Sequence, residues 1–466
     1  MKFSVLITFL LLLKIIAYGQ TKMPSFFGDN MVLQQEKKVP VWGTDTPGQR
    51  VSVRASWGEK VQTITSGEGK WQVYLHTPSS GGEYDLVIKG STKLSVQNIT
   101  IGEVWICSGQ SNMEMPVKGY KNQPIAGSQE AILNSGNNHI RYFHVKRSAS
   151  LKPLTNVEGQ WLMAGTNTTG DISAVAYFFG KKLNAVLDVP IGLIISSWGA
   201  SSVEAWMNKE ILQEFGNVVI PSEVSEKWPQ QTPTALYNGM MHPIEGFGIK
   251  GVIWYQGESN RSRAKEYKAL FPAMINAWRE SWSNNKLPFY FAQIAPFSYR
   301  GNVNSAYIRE SQLHTMLTVP YTGMAVTMDV GDSLCIHPSR KKEVGERLAL
   351  WALANDYGKE KISFSAPVYR SMSLIDNDKV KLFFDNVGLG FTSYGKELTT
   401  FTIAGDDRIF HPAKARIMND QTIVVWSEEV KYPRAVRYAF KNWVSGDLFN
   451  TMGLPVSSFR TDDWSN

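Results

Sequence analysis

Along the first hundred residues apolar positions alternate with polar ones; beyond Ile101 they run together. In KWQVYLH, Trp71, Val73 and Leu75 fall on one face of a strand, and in EYDLVIKG so do Tyr84, Leu86 and Ile88. Turn-rich breaks such as TDTPGQ and SSGGE separate these runs. Short alternating strands with Gly/Pro punctuation predict a small antiparallel β-sandwich domain over residues 22–100.

Five continuous apolar runs of strand length follow: 104–107 VWIC, 189–196 VPIGLIIS, 250–255 KGVIWY, 288–294 PFYFAQI and 323–330 GMAVTMDV. Strands apolar on both faces belong inside a parallel sheet covered by helices. The intervals supply helical spacing, as in Tyr267, Leu270, Phe271, Met274, Ile275 and Trp278, or Val344, Leu348, Trp351 and Leu353. Residues 101–360 therefore predict a three-layer α/β domain on a five-stranded parallel sheet, with an irregular excursion at about 208–235. Alternation returns in KVKLFFDN, TTFTIAG and TIVVWSEEV, predicting a second β-rich, sandwich-like domain over 361–466.

The first residues, MKFSVLITFLLLLKIIAYGQTK, combine a positive start, a short apolar core broken by Lys14, and a small-x-small pattern ending at Gly19. That is the form of a cleavable signal peptide, residues 1–19, rather than a membrane anchor. It predicts a secreted or periplasmic protein without a membrane span after cleavage. The chain of 466 residues is 43% hydrophobic and 19% charged, as folded proteins are. Its net charge of +7 is spread without a long basic run, which argues against nucleic acid as a partner. Two cysteines, Cys107 and Cys335, do not make a disulfide framework, although a bridge between them stays open.

In open parallel sheets, ligands bind beyond the carboxyl ends of the strands. The first run ends in Gly109-Gln110-Ser111-Asn112, the second in SWGASSVEAW with Gly199, the third in QGESN, and the fifth in GDSLCIHPSRKKE with His337. Acyl transfer needs such parts. A serine hydroxyl needs a neutral imidazole to take its proton, and the tetrahedral oxyanion needs preorganised donors. Ser111 is the candidate nucleophile and His337 the candidate base. The Ser111 and Gly199 N–H groups and the Gln256 amide are the candidate oxyanion donors. Trp198, Glu258 and Asn260 are candidate substrate contacts, and Trp206 and Tyr255 lie near the same edge.

The blocks GEVWICSGQSNMEMPV, SSWGASSVEAWM, WYQGESN and IHPSRKKEVGERLA resemble those of the sialate O-acetylesterase-like carbohydrate esterases, within the SGNH-hydrolase superfamily. Both the N-terminal MPSFFGDNMVLQQEKKVPVWG and the C-terminal RYAFKNWVSGDLFNTMGLPVSSFRTD resemble that family as well. The resemblance implies removal of O-acetyl groups from a carbohydrate, with no metal or other cofactor. It matches Ser111 to the nucleophile, His337 to the base and Gly199 to the second-block glycine. Gln256 takes the place of the superfamily's third-block asparagine. The superfamily often has Asp three residues before the histidine, where this chain has Leu334. Asp332 is the first choice for the acid, with Asp329, Glu258 or a Ser-His dyad as alternatives. An acetylated plant polysaccharide such as xylan or xyloglucan is the alternative substrate, and non-catalytic glycan binding the alternative function.

Overall fold

The computed structural model describes residues 19–136 and 139–464. The expected leader thus lies outside the described residues, apart from Gly19. Numbered in chain order, the strands of the central sheet are β1 (Lys93–Gly109), β2 (Ile140–His144), β3 (Trp161–Met163), β4 (Ile191–Ser197), β5 (Gly251–Tyr255), β6 (Phe289–Ala292) and β7 (Thr322–Ala325). Their order is β7-β6-β5-β1-β4-β2-β3. The first six in that order are parallel, and β3 closes the edge antiparallel to β2.

The parallel sheet therefore has six strands, where the sequence predicted five. The extra one, β2, was hidden by Arg141, a charged residue at the second position of IRYFH. Arg141 is buried, and its guanidinium donates to the carbonyl and side-chain oxygens of Asn98 on β1. Such pairing is what lets a charge sit inside a sheet. A second difference concerns the last strand, which stops at Ala325 and turns, instead of running to Val330.

The helices around this sheet are α1 (Ser111–Glu114), α2 (Ala174–Leu187), α3 (Ala264–Ser281), α4 (Ala306–Thr318) and α5 (Lys341–Asp356). Helices α2 and α5 pack on one face of the sheet, α3 and α4 on the other. Period-two alternation divides each central strand between these layers. Trp105, Cys107, Ile253 and Tyr255 enter the α2/α5 core, while Ile106, Val252, Trp254 and Phe291 enter the α3/α4 core. Helix α2 starts at Ser173, whose hydroxyl accepts the Ala176 N–H at 3.2 Å. It meets α5 at Gly345, where a Cβ would come within 2.6 Å of the Val175 carbonyl.

Ahead of the sheet, Lys38–Thr44 and Lys70–His76 pair antiparallel. They share a core with Arg50–Ala55, Gly81–Lys89 and the first half of β1, which form the facing sheet. Strand β1 then crosses position 101 without a break and becomes a central strand of the parallel sheet. Beyond Asp356 the described residues hold strands and no helix, in two four-stranded sheets and a two-stranded one. The segment 208–235 carries only a four-residue helix and a single 3-10 turn. No described helix is long and apolar enough to cross a membrane.

Candidate active site

The nucleophile candidate is placed by backbone packing. Gly109 ends β1 at φ +136°, and a Cβ there would lie 2.2 Å from the Tyr255 carbonyl of β5. Only glycine allows that approach. The Gln110 N–H then donates to the same carbonyl at 2.9 Å, and the Gln110 side-chain oxygen accepts the Gly257 and Ser259 N–H groups at 3.2 and 3.3 Å. Ser111 follows as the first residue of α1, so its N–H stands outside the intrahelical ladder. It lines a cleft of about 560 Å³ at the carboxyl edge of the sheet, and His337 lines the same cleft. No hydrogen bond joins the two side chains among the described residues, as is common in unliganded sites that tighten around substrate.

His337 sits on the loop between β7 and α5. Its Nδ1 donates to the Gln123 side-chain oxygen at 2.7 Å, which leaves Nε2 as the basic nitrogen. Gln123 belongs to a tight turn in which it and Tyr120 exchange backbone hydrogen bonds, both at 3.0 Å. Tyr120 meets the imidazole edge-on at 5.5 Å, and its hydroxyl reaches the Ser111 carbonyl at 3.5 Å. Burial, and after it the Lys341 ammonium, push the imidazole down to about 4, so His337 is neutral at neutral pH.

A buried polar bridge joins the serine and histidine sides. Lys341 is fully buried at the start of α5, and its ammonium donates to Asn112 Oδ1 at 2.6 Å and to the Pro338 carbonyl at 2.9 Å. Asn112 Nδ2 donates to Glu258 Oε1 at 2.6 Å and to the Ile336 carbonyl at 3.1 Å. The residue after Ser111 thus grips the carbonyl before His337, while Lys341 grips the one after it. Burial pushes the Lys341 ammonium down to about 7 against the opposing pull of Glu258, and burial likewise raises the Glu258 carboxyl.

Several expectations change on this geometry. Asp332 does not meet His337: it is exposed, and its Oδ1 accepts the Leu334 and Cys335 N–H groups at 2.7 and 3.1 Å, closing a local turn. Asp329 is held by both terminal nitrogens of Arg347, each at 2.7 Å. No carboxylate therefore hydrogen-bonds His337 among the described residues. Gln256 is fully buried, and its amide nitrogen is engaged with the Ser201 carbonyl at 3.0 Å and Asn260 Oδ1 at 2.7 Å. Asn260 is buried too, with the Val203 N–H and Glu204 Oε2 as further partners, so a substrate does not reach it. Trp206 and Tyr255 are 0% exposed and closed to sugar stacking. Cys107 and Cys335 are both free thiols.

Glu258 and Gly199 line the cleft. Trp198 is not among the residues that line it, but the Arg147 guanidinium, which does, lies 5.6 Å over its ring. A Cβ on Gly199 would come within 3.3 Å of the Ser111 Cβ, which ties this glycine to the nucleophile's side. Its N–H donates to Glu114 Oε2 at 2.9 Å, and Arg147 grips the other oxygen of that carboxylate at 2.6 Å. Gln123, Asn112 and Lys341 were not singled out from sequence. Lys341 carried the one available signal, a lysine at a position that the helix buries.

A doubly wound α/β domain with a serine at one strand end and a neutral histidine at another is the layout of an ester hydrolase. Residues 101–354 match the family model for carbohydrate esterases described as sialic acid-specific acetylesterases. The chain belongs to that family and is an esterase. It is 31% identical to human sialate O-acetylesterase over 76% of this chain and 74% of that one. The rat sialate O-acetylesterase is 28% identical over 91% and 90%. A crystal structure of a carbohydrate acetylesterase from Xanthomonas citri superposes with a TM-score of 0.88 at 37% identity, covering 96% of this chain and all of that one.

Proposed function

We propose that this protein is a secreted or periplasmic serine esterase that removes O-acetyl groups from carbohydrates through an acetyl-serine intermediate. The observation that carries the reading is that Ser111 and His337 line one cleft while Gln123 holds His337 Nδ1 and frees Nε2. Ser111 Oγ forms a bond to the acetyl carbon as its proton passes to His337 Nε2. The tetrahedral oxyanion meets the Ser111 N–H and, once Glu114 swings away toward Arg147, the Gly199 N–H. Collapse breaks the bond to the sugar oxygen, which takes the proton from His337. Water then repeats the sequence and releases acetate. Gln123 and the Asn112–Lys341 bridge are positioning residues in this scheme, with the acid of a triad replaced by an amide.

Arg261 favours an acidic sugar such as a sialic acid over a neutral plant polysaccharide. It lines the cleft 4.5 Å over the Tyr299 ring, and no described carboxylate pairs with it. Its guanidinium is thus available to a substrate carboxylate. Acetate release from acetylated sialic acid, xylan and xyloglucan tests both levels. Release from none of them, with p-nitrophenyl acetate still hydrolysed, would remove the carbohydrate reading. Release only from the neutral polymers would remove the acidic one.

A further inference from the structure

Beside the Ser111 cleft lies a second cavity of about 580 Å³. Glu114, Tyr120 and Arg147 line both, so the two are neighbours across one wall. The second cavity stands beyond the carboxyl end of β2 and against the edge strand β3, on the same edge of the sheet as Ser111. Its size falls in the range of small-molecule sites, about 300–1,000 Å³.

The lining says what kind of molecule fits. Pro116 and Leu162 give it an apolar surface. Its charges are already matched: Lys146 with Glu158 at 2.6 Å, Asp171 with Lys118, and Arg147 with Glu114. A charged ligand would have to break one of these pairs to find a partner. The remaining polar heads are the Tyr120 hydroxyl, which reaches the Ser111 carbonyl, and the His144 imidazole and Gln160 amide, for which the described residues show no side-chain hydrogen bond. An apolar surface beside uncharged donors and acceptors suits a ring with one apolar face and several hydroxyls.

We propose that this cavity is a second glycosyl subsite, taking a neutral sugar unit joined to the acetylated unit in the Ser111 cleft. The glycosidic link passes over the Glu114–Arg147 pair, and His144 and Gln160 read hydroxyls of the neighbour. The inference rests on the carbohydrate-esterase reading above. It makes the preferred substrate an oligosaccharide, not a free sugar.

The test compares kcat/KM for acetate release from one O-acetylated sugar with that from the same sugar carrying a neutral glycosyl neighbour. The subsite predicts a preference of about tenfold or more for the longer substrate, the worth of one or two hydrogen bonds. That ratio is expected to fall toward one in the His144→Ala/Gln160→Ala double variant and in Gln160→Trp, which fills the cavity. A ratio near one in the unaltered protein, or one that survives both changes, overturns the subsite and leaves the esterase reading intact. Release from neither sugar, with p-nitrophenyl acetate still cleaved, overturns both.

Discussion

The two sides of the cleft are built by different means. Ser111 is held by backbone: a strand buried on both faces, a glycine pressed against β5, and a main-chain bond from Gln110 to the Tyr255 carbonyl. His337 rides an irregular loop whose place is fixed by side chains, namely Gln123 and Asn112 from far along the chain and Lys341 from the helix that follows. A strand end tolerates loss of a single hydrogen bond because its register is set by many. A loop pinned by three side chains loses a large share of its restraint with each.

Ser111→Ala removes the reacting atom itself and is expected to lower kcat on p-nitrophenyl acetate by about 10⁴-fold or more. Retention of a tenth of the rate would mean that another group attacks. Next in size, Lys341→Met cuts the ammonium from Asn112 and the Pro338 carbonyl and leaves Glu258 without its cation. A loss of about 2–4 kcal/mol in urea unfolding is expected, because the partner charge stays buried. The same variant carries a pH signature. Lys341 helps to depress His337, so its removal raises the imidazole pKa, while burial still keeps it below the ordinary 6.5. The acid limb of kcat/KM, expected near pH 4 in the unaltered protein, should move upward. An unmoved limb would separate Lys341 from the histidine.

Gln123→Ala is expected to lower kcat about 10- to 100-fold with KM little changed, since it frees the imidazole to rotate. Gln123→Glu sharpens the same point: a carboxylate at Nδ1 favours the imidazolium, so much of the rate should return while the acid limb shifts up. The smallest effect belongs to Asp332→Ala. It opens a local turn and should cost about 1 kcal/mol of stability at most, with kcat changed less than about threefold. A large fall in kcat there would restore Asp332 as an acid.

The same contrast explains what could be read from the chain. Parallel strands buried on both faces announce themselves as apolar runs, and strand ends carry ligand chemistry by a general rule, so the meeting of Ser111, Gly199 and His337 at one edge was legible. Strand β2 was not, because a buried arginine interrupts its run and only the Asn98 contacts explain it. Nor was Gln123, because a search for a carboxylate near the histidine cannot find an amide supplied by another loop. Gln256 and Asn260 sat beside the right strand, but their side chains turn inward, where Gln256 Nε2 donates to Asn260 Oδ1. A position next to an edge does not fix which way a side chain points.

Strand β1 has one further consequence. Its first half pairs with Gly81–Lys89 and its second half ends at the nucleophile, so a single rod of backbone belongs to both regions. The N-terminal sheets are therefore not a detachable module. A chain begun at residue 101 would discard half of that rod together with the partners that anchor it. An insertion or loss within β1 would throw its residues out of register with one of the two sheets it serves.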